Sequence, residues 1–499
     1  MAVENDKQTM DKIYALTDND GHPSSQSSFL CLKYIRIMED FRSMQPRQLY
    51  GLNQISSADD HLSLLFYLTR MFRSNCRFQA TNVQDRIYAL LNMSGLASNI
   101  EFNNRLNTAN LLGNKKTPQD TPDYNDRLAK FFTIAATHFL TSGPQDRRLD
   151  FLSHAGTSNQ SQLPNLPSWV PDWSLEPASN PLLAYDGTLE LLQHPRLKGI
   201  LESVADWQSC DEVSFNGRPQ HQAALEKLHQ MPPVMITQTM YRATKDSLPS
   251  LTVDEERGIL DLTGGIIDRL HSVGEPFPDL NSGGGRSHHP LEQLEYFTST
   301  MVTITRWFVL SQTALSLSHA SSSTHIDRQT QLAHNMLFER TLLADVSHPA
   351  FDFTLPSSPV RPIPEGKVGF AMLIMRLASG RLPLESVNQE DLRQNLMEWA
   401  AHLGATCKGR HFGVTETGLM GLFPMGGKVG DEVALAFGMG VPVLVRMVGE
   451  DGQGKEKGNE ENVWEKKQLY EFIGPAYVHG IMDGEGMDRM GSAGSILLK

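Results

Sequence analysis

Residues 410–447 read RHFGVTETGLMGLFPMGGKVGDEVALAFGMGVPVLVRM, and the period of their apolar residues decides the fold of the C-terminal part of the chain. His411–Thr415, Leu419–Phe423, Glu432–Phe437 and Val441–Met447 are short runs of β type, too short to form stable helices. They are separated by Glu416-Thr417-Gly418, Met425–Lys428 and Gly438-Met439-Gly440, whose glycines permit tight turns. A fifth run, Gln468–Val478, follows an insertion, Gly449–Asn462, that has no apolar residue and reads as a hairpin tip. The spacing predicts a small antiparallel, barrel-like β module over 405–490.

Towards the N-terminus the period changes to that of helices. Asn388 reads as an N-cap, Glu390 and Asp391 fill the first turn, and Leu392, Leu396, Trp399 and Leu403 form one face that ends at Gly404. Further helices are expected over Gly369–Leu377, over Gln329–Ala344 and from Pro290 through Phe308. Gly274–Pro290, with Gly283–Gly285, reads as a flexible connector, and Ile259–Leu270 as a strand bent at Gly264-Gly265. Pro177–Gln230 carries weak signals apart from a helical His221–Gln230. Leu166–Ser174, LPSWVPDWS, cannot be helical, because Pro167 and Pro171 remove donors and push the preceding residues to extended geometry.

Tyr124–Leu140 is expected as a helix, followed by a short buried segment, Leu149–Ala155. Another helix should start at Asn82 as N-cap, with Asp85 at the third position, Ile87, Leu90 and Leu91 buried and Gly95 at its end. Glu4–Leu16, Leu32–Phe41 and His61–Phe72 show earlier helical rhythms. The fold expected is α+β, a mainly helical body with the small β module at its C-terminus. Its regions would be 1–175, 176–404 with a linker near 274–290, and 405–490 with a charged insertion at 449–462.

The 499 residues are 40% hydrophobic and 20% charged, which excludes a wholly disordered or fibrous protein. Lys and Arg number 44 against 57 Asp and Glu, a formal charge of −13 that argues against a partner bound through its phosphates, nucleic acid or anionic membrane. Cys31, Cys76, Cys210 and Cys407 are too few and too scattered for a disulfide framework or a zinc site. Met301–Leu317 is broken by Arg306, Ser311 and Gln312, so no membrane span is expected, and the first residues lack a secretory leader. A cytoplasmic protein is expected.

No stretch of the sequence is a self-sufficient catalytic signature. Gly426-Gly427-Lys428 lacks the earlier glycine, the following Ser or Thr and the helix of a phosphate loop, so it reads as a turn. His288-His289 with His325 or His334 lacks a metal-ligand spacing. Trp169 and Trp173 could stack on a ligand, but in a proline-locked segment they read as a plug. No GxSxG is present, and Cys76 and Cys407 have no catalytic flanks. The tail Tyr477–Gly486 is the most chemical segment. Drawn as an extended chain it would put His479, Ile481, Asp483 and Glu485 on one face, an acid–base or metal-binding set; the segment reads rather as a strand-to-turn transition whose polar groups cap backbone N–H groups.

Six segments together resemble one family. Asn82–Leu91 (NVQDRIYALL) resembles the DPRDKIYALL segment of fungal heterokaryon-incompatibility, or HET domain, proteins; Leu166–Ser174 is similar to their LPSWVPDWS; and Glu339–Asp345 (ERTLLAD) is similar to their WRTLIAD. Arg410–Pro424, then Gly430-Asp431 with Val441-Pro442, and Tyr477–Glu485 (YVHGIMDGE) resemble the family's C-terminal region in order and spacing, over about Phe72 to Met487 in all. Asn82, Val83 and Gln84 replace Asp-Pro-Arg, a mild change for a helix start, and Glu339 stands where an aromatic residue is usual.

The segments of the family's eponymous N-terminal domain, similar to TIR domains, have no counterpart. The resemblance therefore implies the trailing region of a protein of fungal nonself recognition and regulated cell death. It would be an interaction or regulatory module with no catalysis, no cofactor and no metal, binding a protein partner such as a HET-type effector. The residues carried over, in structural roles, are Asp85, Arg86, Tyr88, Trp169, Pro171, Asp172, Trp173, Arg340, Asp345, Gly430, Asp431, Tyr477, His479, Gly480, Asp483, Gly484 and Glu485. Two other expectations stand beside this one: a hydrolase using His479, Asp483 and Glu485, and a truncated or decayed relative without activity.

Overall fold

The five β-type runs fold as strands, the fifth as two, but the expected barrel is corrected: only three of the runs enter a closed ring, together with two strands from outside their region, and the others form a second sheet. The computed structural model describes residues 83–88, 100–111, 124–142, 148–156, 163–175, 179, 241–278, 290–319, 327–346, 361–363, 368–378, 382, 388–451 and 467–499. All belong to the contact unit made of Ile55–Lys198 and Pro232–Lys499. The strands are β1 (Leu251–Asp254), β2 (Ile259–Pro276), β3 (Arg410–Thr415), β4 (Met420–Pro424), β5 (Glu432–Ala436), β6 (Val443–Asp451), β7 (Lys467–Pro475), β8 (Tyr477–Val478) and β9 (Gly494–Leu498). The helices are α1 (Ile100–Leu111), α2 (Tyr124–Ser142), α3 (Pro290–His319), α4 (Arg328–Leu342), α5 (Phe370–Ala378) and α6 (Gln389–Cys407).

Strands β5, β6, β7, β9 and β2 follow one another in hydrogen-bonded order, and β2 pairs back onto β5, so five strands form a closed ring. Closure removes the free edges that an open sheet of this size would expose. The ring is not wholly antiparallel: β7 and β9 run parallel, through Leu469↔Leu497 and Tyr470↔Leu498. Two of its strands, β2 and β9, lie outside the five runs, and β9 lies beyond residue 490.

Strand β2 is long enough to serve two sheets. Leu260–Gly264 pair with β9, Gly264–Arg269 pair with β5, and Leu270–Pro276 pair with β3, from which β4 and β8 continue. The expected bend is present as a register shift between Ile266 and Asp268, two residues beyond Gly264-Gly265. Leu270, Phe423, Val433, Leu444, Ile473, Ala476, Val478 and Ile481 form a buried cluster that joins the two sheets. Gly264 is required by contact: a Cβ there would lie 2.2 Å from the carbonyl oxygen of Leu435. Gly264→Ala is therefore expected to push β2 and β5 apart and to cost about 1–3 kcal/mol in a urea titration, whereas Gly491→Ala, with open space around its Cβ, should be near neutral.

The helices cover the second sheet with aromatic contacts. Trp307 of α3 sits 5.9 Å from Phe277 and 6.1 Å from Phe412 of β3, and its indole N–H donates to Glu275 O. Phe338 of α4 packs edge-on against Phe412 at 5.3 Å and against Phe308 at 5.4 Å. Between the two helices, Ser311 Oγ and His334 Nε2 are 3.1 Å apart, both residues buried. Asp327 caps α4 by accepting from Thr330 N. The expected stop of α6 at Gly404 is corrected: the helix runs on to Cys407, because Thr406 and Cys407 are buried against the Leu342 carbonyl, and the chain turns at Gly409, whose φ is +70°. Among the described residues no helix is long and apolar enough to cross a membrane.

Several expectations lie outside the described residues. They are the helices over Glu4–Leu16, Leu32–Phe41 and His61–Phe72, the Asn82 cap with Leu90, Leu91 and Gly95, the helix over His221–Gln230, residues 279–289 of the Gly274–Pro290 connector, with His288 and His289, and the insertion beyond Asp451. The start of that connector is corrected, since Gly274–Pro276 are the end of β2 and Phe277 is buried.

Candidate functional site

The motif segments assemble at three places. At the first, Arg86 donates from Nη1 to the carbonyl oxygens of Trp173 (2.7 Å) and Ser174 (3.2 Å), joining two segments 87 residues apart. Tyr88 lies 5.2 Å from Phe131 of α2, and Trp173 packs edge-on against Phe132 at 5.2 Å. Asp172 is buried and its Oδ1 accepts from Ser174 N at 2.8 Å, capping the local turn. Trp169 has no exposed surface, and its Nε1 donates to Gly258 O at 2.9 Å. Ser168 N donates to Lys499 O while Ser168 Oγ accepts from Phe472 N, so the same loop seals β7 and the end of β9. The tryptophans fill the core and leave no face for a ligand.

The second place is the β4–β5 turn. Gly430, at φ +92°, and Asp431 bond to the backbone of Leu270, and Asp431 Oδ2 accepts from Lys428 N at 2.7 Å. Arg446 of β6 forks onto both oxygens of Asp431 at 2.8 Å and also reaches Gly426 O and Glu471. A strand, not a helix, follows Lys428, as the turn reading requires.

The third is the richest chemically. Tyr477–Glu485 does not run extended: β8 ends at Val478, Gly480 turns with φ +85° and Gly484 with φ +97°, and Asp483 N donates to Glu485 Oε2 at 2.9 Å. The strand-to-turn transition is the arrangement present, and the single-face set of His479, Asp483 and Glu485 does not form, because both glycines take up left-handed conformations that break the alternation. Asp483 is gripped by Arg361, whose Nη1 and Nη2 donate to its two oxygens at 2.9 and 3.0 Å. The Arg361 guanidinium stacks 4.5 Å over the Tyr241 ring, which packs edge-on against Tyr477 at 5.9 Å. Tyr477 Oη and His479 Nδ1 are 2.9 Å apart.

The Arg340–Asp345 segment meets the same cluster. Ala344 and Asp345 both adopt left-handed φ, +50° and +54°, where α4 ends, and Tyr241 Oη donates to Ala344 O at 2.8 Å. The Asp345 carboxylate accepts from Arg340 Nη1 at 2.8 Å and from Ile363 N at 3.2 Å. Glu339, odd against the resembling motif, has a local purpose: its carboxylate accepts from Gly369 N (2.6 Å) and Ala371 N (3.0 Å), capping α5.

Burial governs the titration of this cluster. It pushes the Tyr241 and Tyr477 phenols upwards, and holds the His479 imidazole below its ordinary value. Arg410, buried beside Tyr241, is lowered to about 10, and the neighbouring Cys407 thiol is raised to about 12, which makes it a poor nucleophile. Among the described residues no group of three His, Cys, Asp or Glu side chains could hold a metal ion. His334 faces Ser311 instead. The two motif aspartates of this cluster, Asp345 and Asp483, are bound by arginines.

Sequence reasoning missed Tyr241 and Arg361, the two residues that bind the segments into a cluster. Neither belongs to a periodic stretch, and their partners lie more than 100 residues away. No protein-family model, no curated protein and no solved structure matches the chain.

Proposed function

We propose that the chain is a non-catalytic interaction and regulatory region of the HET type, working in the cytoplasm in fungal nonself recognition and regulated cell death through a protein partner, of which a HET-type effector is one candidate. The observation that carries this reading is the third cluster. Its two aspartates are paired with Arg340 and Arg361, Glu485 accepts from Asp483 N, Tyr241 donates to Ala344 O, and Tyr477 Oη faces His479 Nδ1. An acid–base or nucleophilic enzyme keeps at least one such group poised for substrate. The resembling segments, distant in sequence, support one another physically, which is how a region selected for shape rather than for chemistry is built.

The test is expression in a fungal host, alone and with a full-length HET protein. The expected outcome is growth arrest, or suppression of the death the full-length protein causes. Accumulation of folded protein with growth unchanged in both cases would overturn the reading and leave a relative without activity.

A further inference from the structure

We propose that His411 is a proton-driven release for the β4–β5 turn: once protonated, its imidazole lifts Met425–Gly430 off the ring while the strands beneath stay paired. The inference does not depend on the interaction reading above. His411 lies in β3, opposite Pro276 of β2 and Phe423 of β4, and is buried. A Cβ added to Gly427 would lie 2.9 Å from His411 Nε2, 2.7 Å from Leu444 Cδ2 and 3.1 Å from Pro424 O, so the bare backbone of the turn rests on the imidazole. Nε2 meets no acceptor at hydrogen-bonding geometry, although the carbonyls of Gly274 and Pro424 border the ring. Gly427 is buried, whereas Met425, Lys428, Val429 and Gly430 around it are exposed, so this turn stands between the ring and water.

The surroundings set what a proton does here. The charge facing the ring is Asp431, at the end of the turn, and its oxygens are already taken by Arg446 of β6 and by Lys428 N. Glu471 of β7 reaches Arg446 rather than the imidazole. Strands β2 and β4 present carbonyl oxygens, and β6 presents the apolar Leu444. Burial outweighs the attraction of Asp431, and the closed site therefore holds the neutral ring. A charged ring is relieved by water, and the turn is the cover that yields. Strand β6 is paired with β7 along its whole length, and β3 with both β2 and β4. The turn is tied by single backbone bonds, Met425 N to Gly409 O and Gly430 N to Leu270 O, and by the Asp431 clasp. Openings of this local kind cost less than unfolding the sheet. Because the solvated ring binds a proton more tightly than the covered one, acid shifts the population towards the open turn.

Amide hydrogen exchange of the full chain at pH 7.5 and pH 5 tests this. After correction for the intrinsic exchange rates, the Met425, Gly427 and Gly430 amides should lose protection about 30-fold, the factor expected for an imidazole whose pKa moves from about 4 when covered to 6.5 when solvated. At both pH values they should exchange faster than the β6–β7 ladder amides, and dilute urea should leave their rates unchanged, since a local opening exposes little surface. In His411→Asn the 30-fold loss should vanish. Gly427→Ala should wedge the turn off the ring, so that the His411 titration, followed by the imidazole proton resonances, moves from about 4 towards 6.5. Turn amides that exchange only together with the ladder amides, or a loss that survives in His411→Asn, would overturn the device. So would a Gly427→Ala protein whose imidazole still titrates near 4. Should either variant fail to fold, the exchange of the parent chain decides, and none of these readouts involves the growth phenotype.

Discussion

Trp169→Ala is expected to remove about 3–5 kcal/mol of stability, the range for deleting a large aromatic side chain from a packed core. Trp169 is fully buried, and its loop contacts elements from four parts of the chain: Gly258 through the indole N–H, Phe472 and Lys499 through Ser168, and α2 through Trp173. A cavity there would be lined partly by backbone, which relaxes poorly. Trp169→Phe separates volume from hydrogen bonding: it keeps most of the ring but leaves the Gly258 carbonyl without its donor, for about 1–3 kcal/mol. Urea unfolding followed by circular dichroism measures both. A Trp169→Ala protein as stable as the parent would show that the segment is a ligand surface rather than a plug.

Stability should fall steeply between pH 6.5 and pH 4. His411 is 3% exposed, and burial lowers its pKa from 6.5 to about 4, against the opposing pull of backbone carbonyls and Asp431. In the unfolded chain the imidazole takes up its proton near pH 6.5. Between the two values the unfolded state therefore binds more protons, and stability is lost as pH falls through that window. A shift of this size corresponds to about 3 kcal/mol for His411. His138, stacked on Phe102 with ring centroids 4.0 Å apart, is also lowered to about 4 by burial and by Arg105, and adds in the same direction. Glu339 acts oppositely, since burial raises its pKa and its contribution is lost as pH rises. In His411→Asn the loss between pH 7 and pH 4 should shrink by about 3 kcal/mol. Identical pH profiles for variant and parent would contradict the assignment.

The parts of this fold that were legible in the sequence are those decided locally. Strands β3 to β7 announce themselves by short apolar runs between glycine turns, and β2 by its alternation and its glycine pair. Helix α2 shows a continuous stripe. What was not legible depends on distant partners. Helix α1 is rich in asparagine, and among its described side chains the buried ones are Phe102 and Leu106, one turn apart. Strand β9 is short, and its place is fixed by its pairing with β2 and β7. Barrel closure through β2 and β5 joins residues about 170 apart, a distance over which no periodicity speaks.

The same holds for the clusters. The turn chemistry of Gly430-Asp431 could be read, but its anchor, Arg446, could not. The Trp169 plug was readable because prolines lock a segment wherever it stands. The turn at His479 to Glu485 was readable because its glycines permit tight turns; the left-handed conformations of Gly480 and Gly484 fix it. Tyr241 and Arg361, which give that cluster its chemistry, carry no local signal at all.

The most direct test of the central claim, that the clustered motif residues hold shape and do no catalysis, is His479→Gln, measured both by urea unfolding and by the growth assay in the fungal host. His479 is the one imidazole of the cluster and the natural acid–base group of any hydrolase built there. The expected result is a phenotype that survives in the folded variant and weakens only as far as its stability falls. A variant that unfolds at the same urea concentration as the parent, yet loses the phenotype completely, would contradict the account.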